Sequence, residues 1–216
     1  TSELGHAHSE HVLAIHLCTL LLPGFDPTKV GPADFAPDEQ WMLPRIGESI
    51  PKIISHFVVH ASDPQTLAYA LADSPVGTAA WLWERRRAWS DCGGDVVGLH
   101  GRDFLCTLAS LYWLTNTIGS SLRIYKEQFG NPAAGFEATG WPLLYANKPS
   151  VPVPTGVAVA PKEVVLLPRG VVSEQVNLKR CEILPRGGHF LPAEAPDLLA
   201  NEYRAFFGQF CAQPAA

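Results

Sequence analysis

The sequence predicts an α/β protein interrupted by a helical insertion between about Pro37 and Gly130. Three observations carry this reading. Val12 to Leu17, Thr155 to Ala160 and Arg180 to Leu184 are short apolar or β-rich runs, the last two ending at Pro161 and Pro185. Between the first and second runs lies a long block marked by helix-start signals. The last segment places Leu198, Leu199, Tyr203, Phe206, Phe207 and Phe210 on one face of a helix starting at Pro196, as an amphipathic helix packed on a sheet requires. Three short strands make a poor sheet for 216 residues, so the sheet is expected to be incomplete in this chain and completed by a segment preceding Thr1.

Helical spacing is weak from Thr1 to about His11, and Val12 to Leu17 suits a buried strand. Pro23, Gly24, Pro27, Gly31, Pro32 and Pro37 make the next stretch a loop. Pro64-Gln65-Thr66 and Asp73-Ser74-Pro75 each put a proline where a first helical residue needs no amide hydrogen, with Ser74 as cap of the second helix. That helix should run to about Trp89, with Arg85, Arg86 and Arg87 in its last turn, where the macrodipole favours cations. After the turn at Cys92-Gly93-Gly94, one helix through Tyr112 and Trp113 is expected to reach Tyr125 or Lys126. Phe104 to Leu122 carries no charge, but its seven Ser, Thr and Asn residues would need partners in lipid, so it reads as a buried helix of a soluble domain. A long connection from Gly130 to Pro154 and a weak helix between the last two strands complete the order. The expected division is core at 1–36, helical insertion at 37–130 and core again at 131–216.

Hydrophobic residues make up 47% of the chain and charged ones 17%, which excludes a disordered chain. A net charge of −5 argues against nucleic acid as a partner, and the cluster Arg85 to Arg87 is only local. Five cysteines, Cys18, Cys92, Cys106, Cys181 and Cys211, form no C-x-x-C pair and predict buried free thiols in a reducing, cytoplasmic compartment. His6, His8 and His11 do not share one helical face, so no metal is expected there. Neither a Gly-rich phosphate loop nor a G-x-S-x-G serine motif is present. The chain opens at Thr1-Ser2-Glu3-Leu4 without an initiator Met or signal peptide, in what reads as the middle of an element, as processing or a larger product would leave it.

Chemistry is concentrated at two strand ends. Pro185-Arg186-Gly187-Gly188-His189-Phe190 follows an apolar strand, and its glycines allow a sharp turn that presents an imidazole at the carboxyl edge of the sheet. Glu163 follows the preceding strand, 26 residues before His189. A histidine and a carboxylate at neighbouring strand ends are a base and its orienting acid in a hydrolytic triad. Taken singly, each has a plainer reading, a histidine satisfied in a turn and an exposed loop carboxylate.

Gln65 to Leu71 with Asp73 to Gly77, Leu111 to Thr115, Pro154 to Val157 with Pro161 to Glu163, and Arg186 to Phe190 together resemble, in order, the epoxide hydrolases of the α/β-hydrolase superfamily, in the branch related to the microsomal enzymes. The resemblance runs over nearly the whole chain and implies the C-terminal part of an α/β-hydrolase fold, with the helical block as its lid. It implies an aspartate nucleophile that opens an epoxide to an alkyl-enzyme ester, lid tyrosines that protonate the opening oxygen, and a histidine and acid that hydrolyse the ester to a vicinal diol. His189 matches the base, Glu163 its acid and Tyr125 one lid tyrosine; no cofactor or metal is implied.

Two positions depart from that pattern. The nucleophile elbow falls a few residues before Thr1, so the aspartate and the oxyanion-hole loop are expected in an N-terminal partner segment. The second lid tyrosine is expected six residues before Ser62, where His56 stands as the candidate second donor. Tyr112 does not replace it if residues 112–125 form one helix, because thirteen steps turn its ring about 220° from Tyr125. Tyr69 reads as a packing residue, and Trp81, Trp83, Trp89 and Trp113 as core or pocket wall. A dehalogenase-like hydrolase with a carboxylate nucleophile, and a noncatalytic fragment needing its N-terminal partner, remain open. So does homo-oligomerisation, with a small apolar epoxide as the expected ligand.

Overall fold

The computed structural model describes residues 1–20, 30–129 and 150–211. They group into two compact units, Thr1–Gly47 with Pro142–Ala216, and Glu48–Trp141.

In the first unit, β1 (Ile15–Leu17), β2 (Val151–Val159) and β3 (Val176–Ile183) form a parallel sheet in that order. Ile15 pairs with Thr155, Leu17 with Val157, and Val159 with Ile183. The central strand is buried without a break from Thr155 to Ala160, as a parallel strand covered on both faces must be. Alternate residues of β2 feed two cores: Val157 and Val159 join Ile15, Leu17 and Val172, whereas Ala158 and Ala160 join Leu184, Leu191 and Leu199. α1 (Ser2–Ala7) lies close against the sheet at Gly5, where a Cβ would stand 3.0 Å from Val151 and Val153. α8 (Arg169–Gln175) buries Val172 in the first core, and α9 (Leu191–Glu194) buries Leu191 in the second. The C-terminal α10 (Pro196–Cys211) buries Leu199 and Phe206 as its pattern predicts, while Phe207 and Phe210 are half-buried and Tyr203 is 37% exposed. At Gly156 a Cβ would lie 2.9 Å from Phe206 and 2.6 Å from His16, so α10 reaches the sheet only over a glycine.

The strand bounds differ from expectation for local reasons. β2 starts four residues early, through Pro152 and Pro154; these lack amide hydrogens, and the ladder shifts register beside them. β3 also starts four residues early because Val176, Asn177, Leu178 and Lys179 mix apolar and polar residues. β1 is only three residues long. The expected Pro23–Pro37 loop is described from Val30 onward and holds two single 3-10 turns, Pro32–Asp34 and Pro37–Glu39. Most of the expected 130–154 connection lies outside the described residues.

The second unit is helical: α2 (Met42–Ser62, whose first residues belong to the first unit), α3 (Pro64–Asp73), α4 (Pro75–Trp89), α5 (Val96–His100), α6 (Arg102–Leu114) and α7 (Ile118–Phe129). Both proline starts are where the sequence puts them, and Ser74 Oγ accepts from Gly77 N at 3.0 Å. Ala68 and Leu71 of α3 pack on Ile118 and Leu122 of α7. The expected single helix through Tyr112 and Tyr125 is two helices, broken at Asn116, whose φ is 54°. The 220° separation of the two tyrosines therefore falls with it. Nor is Phe104 to Leu122 buried throughout: Leu105, Ala109, Ile118 and Leu122 are, but Leu114 is 79% exposed. Tyr69 is 71% exposed, so it is not a packing residue. Cys106 and Cys211 are exposed as well, and the other three thiols are only half-buried. Among the described residues no helix is long and apolar enough to cross a membrane.

Candidate active site

Two loops at the carboxyl ends of β2 and β3 run side by side. Leu184 N donates to Val159 O at 2.9 Å, extending the ladder, and Lys162 N donates to Gly187 O at 3.0 Å. Gly187 has φ 113°, a conformation that calls for glycine, and a Cβ there would fall 2.6 Å from Leu191 Cδ1. Arg186 ties the loop to the helices beyond it, donating to Glu194 O at 3.1 Å and to Asp197 Oδ1 at 2.6 Å. Phe190 N donates to Glu194 Oε1 at 2.8 Å.

That scaffold brings His189 Nδ1 to 2.7 Å from Glu163 Oε1. Glu163 is 2% exposed, and its oxygens also accept from Val164 N at 2.6 Å, Val165 N at 3.1 Å and Thr19 Oγ1 at 3.0 Å. An anion this deeply buried needs such donors to offset lost hydration. A carboxylate accepts only, so Nδ1 of His189 carries the hydrogen and its Nε2 holds the lone pair in the neutral ring. The His189 side chain is 24% exposed and so stays within reach of solvent. Sequence reasoning misses Thr19. Its signal is its place two residues after β1, at the third carboxyl edge of the same sheet.

The helical unit holds the other two candidates together. His56 on α2 is buried, and its Nε2 lies 3.0 Å from Tyr125 OH on α7. Next to them Trp81 Nε1 donates to His60 Nε2 at 3.1 Å, and the His56 and His60 ring centroids are 4.0 Å apart. Indole can only donate, so His60 is neutral with its hydrogen on Nδ1. Burial, then the charge of Arg85, pushes His60 down to about 4. Burial and then the neighbouring Tyr112 push Tyr125 above the usual phenol range. Sequence pattern does not single out His60 and Trp81 as a pair, because a histidine one helical turn after His56 is ordinary spacing.

A second buried histidine-glutamate pair lies within the first unit: His16 Nε2 on β1 is 3.5 Å from Glu202 Oε1 on α10, and Arg180 of β3 donates to both Glu202 oxygens at 2.6 and 2.8 Å. Among the described residues no group of three or more His, Cys, Asp or Glu side chains can hold a metal ion. His6 bonds the Ser150 carbonyl, and His11 sits 3.5 Å from Glu10.

A parallel sheet whose strand ends deliver a glutamate and a histidine, with helices inserted between its first and second strands, is the C-terminal part of an α/β-hydrolase fold. The solved epoxide hydrolase of Aspergillus niger matches it with a TM-score of 0.74 at 24% identity, over 96% of this chain and 49% of that one. In sequence, the chain is 34% identical over 214 residues to a Stigmatella aurantiaca protein named "Putative epoxide hydrolase", covering 99% of this chain and 45% of the relative. It is 36% identical over 160 residues to "Epoxide hydrolase 1" of Sus scrofa, covering 69% of this chain and 33% of the relative. No protein-family model matches. The chain spans less than half the length of these two relatives, and over that span it is similar to proteins named epoxide hydrolase.

Proposed function

We propose that this chain supplies the base, the orienting acid and the lid of an enzyme that adds water to a small apolar epoxide to give a vicinal diol. The 2.7 Å bond between His189 and Glu163 is the observation that carries this reading. An aspartate expected in a segment preceding Thr1 attacks an epoxide carbon; the C–O bond breaks and Tyr125 donates its proton to the departing oxygen. Water then gives a proton to His189 Nε2 and its hydroxide adds to the ester carbonyl, while Glu163 stabilises the imidazolium. Collapse of that adduct frees the diol and restores the carboxylate, and the proton held by His189 returns through solvent to the Tyr125 phenolate. Residues 37–130 act as the lid and 1–36 with 131–216 as core. A halide leaving group needs no proton, so a half-buried phenol bonded to His56 favours the epoxide over a dehalogenation. The free thiols support a reducing compartment, the cytoplasm, and a role in detoxifying reactive epoxides follows from the reaction.

The test is His189→Ala in the protein together with its upstream segment. Alkylation should persist while ester hydrolysis falls by about 10²–10⁴-fold. A species with the mass of protein plus intact epoxide should accumulate. Turnover at the wild-type rate would remove His189 from the base role.

A further inference from the structure

We infer that His56 is a positioning residue that acts through Tyr125, donating from Nε2 to the phenol oxygen and so leaving the Tyr125 hydrogen for the substrate. This deepens the epoxide reading and rests on it. The two atoms lie 3.0 Å apart, a bond length at which Tyr125 OH and His56 Nε2 engage each other directly, so His56 is not a second donor standing apart from the phenol.

The direction of that bond decides what Tyr125 can do. A phenol whose hydrogen is given to an imidazole lone pair has none to offer an epoxide oxygen. With Nε2–H pointed at the phenol oxygen, the phenol is an acceptor toward His56 and a donor toward the substrate. When the epoxide C–O bond breaks and the carboxylate nucleophile forms its new C–O bond, the phenol proton passes to the departing oxygen and a phenolate remains. Burial makes that phenolate costly, and the Nε2–H already aimed at it offsets the cost. His56 is held to this task from several sides. Its ring packs 4.0 Å, centroid to centroid, from His60 and edge-on, at 5.2 Å, to Trp89, and it meets the Tyr125 ring at 84°. His60 is fixed as a neutral ring by the Trp81 donor. Arg85 is a cationic group on this side, its guanidinium carbon 5.5 Å from the Trp89 ring centroid.

The experiment compares the complete protein, with its upstream segment, as wild type, His56→Phe, His56→Gln, Tyr125→Phe and the double variant His56→Phe/Tyr125→Phe. Single-turnover alkylation of one small epoxide is measured for each, and ¹⁵N spectra assign the hydrogen of His56. We expect Nε2–H in the wild type. His56→Phe should slow alkylation about 10- to 100-fold with little change in substrate binding, the size of one lost charge-stabilising donor. His56→Gln, which keeps an N–H donor, should restore most of the rate. On a Tyr125→Phe background, His56→Phe should cost nothing more, because its effect runs through the phenol. An Nε2 lone pair in the wild type would overturn the inference whatever the rates. Equal rates for wild type and His56→Phe would also overturn it, as would an equal loss on both backgrounds or no rescue by glutamine in a folded variant. A wild-type protein that alkylates no epoxide overturns the underlying reaction instead, and the ¹⁵N assignment tells the two failures apart.

Discussion

Among the described residues the first unit holds two pairs of a histidine and a buried glutamate, and they differ in what the carboxylate offers the imidazole. At the carboxyl edge of the sheet, Glu163 receives His189 at 2.7 Å together with two amides and a hydroxyl. Under α10, Glu202 spends both oxygens on Arg180 of the sheet, at 2.6 and 2.8 Å, and His16 stands farther off, at 3.5 Å. The His189 side chain is 24% exposed and the His16 side chain 1%. What separates them is where the carboxylate's charge goes and whether water can reach the far nitrogen. A charge neutralised by a guanidinium is worth little to an imidazole, and an imidazole sealed among Tyr203, Phe206 and Phe207 has no substrate to take a proton from.

The largest contrast should be kinetic. Glu163→Gln should slow ester hydrolysis by about 10- to 10³-fold, less than His189→Ala, because a neutral amide holds the imidazolium poorly while His189 still performs the proton transfer. Glu202→Gln should leave that step near the wild-type rate. Both are read from the decay of the alkyl-enzyme ester in a single turnover. Comparable losses in the two variants would break the distinction between the pairs.

Stability should rank them the other way. Glu202→Ala strips Arg180 of two bonds and opens space beneath α10, which should cost about 2–4 kcal/mol. Thr19→Val removes one of the donors to Glu163, and the cost should be about 1 kcal/mol. Urea unfolding midpoints at constant slope measure both. A Thr19→Val loss equal to that of Glu202→Ala would mean that the edge carboxylate is as much a structural fixture as the inner one.

The two pairs also differ in how far the sequence discloses them. His189 and Glu163 each follow a strand and sit beside glycine or proline, so their place at one sheet edge is legible in the sequence alone. That of Glu202 is not. It lies among Leu199, Tyr203 and Phe206 on a helix, where an acidic residue reads as solvated, and its partner Arg180 is on a strand that begins four residues ahead of its most apolar run. The same holds in the helical unit. Ser74-Pro75 announces α4 through its cap, whereas α2 gives no sign of a separate helix because Pro44, Gly47 and Pro51 oppose helix by propensity. Tertiary packing overrides that preference. The family resemblance points to His56 and Tyr125 one by one, but that they touch depends on the break at Asn116, where an L residue takes a left-handed turn.

The smallest effect is the most specific, and it concerns the acid side of stability. Burial pushes His16 below 6.5; the nearby Glu202 carboxylate only partly reverses this, and the Arg180 charge adds to the lowering. Burial pushes Glu202 up, but the Arg180 hydrogen bonds and charge, with His16, outweigh it and hold its carboxyl below the usual range. The unfolded chain protonates His16 near its ordinary value, while the folded chain resists until a lower pH. Between those two values the unfolded state binds more protons, so stability falls as pH drops from about 6.5 toward the folded value of His16. Glu202 works in a lower window: its contribution is complete above the ordinary carboxylate range near about 4.3 and is lost as pH falls through its depressed folded value. His16→Gln removes the titrating group and keeps a polar side chain of similar reach. The difference in unfolding free energy between wild type and variant should therefore fall as pH drops below about 6.5, with a slope of at most about 1.4 kcal/mol per pH unit. Taking the difference also cancels His60, whose fall to about 4 gives the helical unit an acid loss in the same range. A difference independent of pH there would mean that His16 binds its proton equally well folded and unfolded, and a difference that rises as pH falls would mean that it keeps its proton in the folded state as a true partner of Glu202; either outcome would leave the contrast with His189 resting on access to water alone.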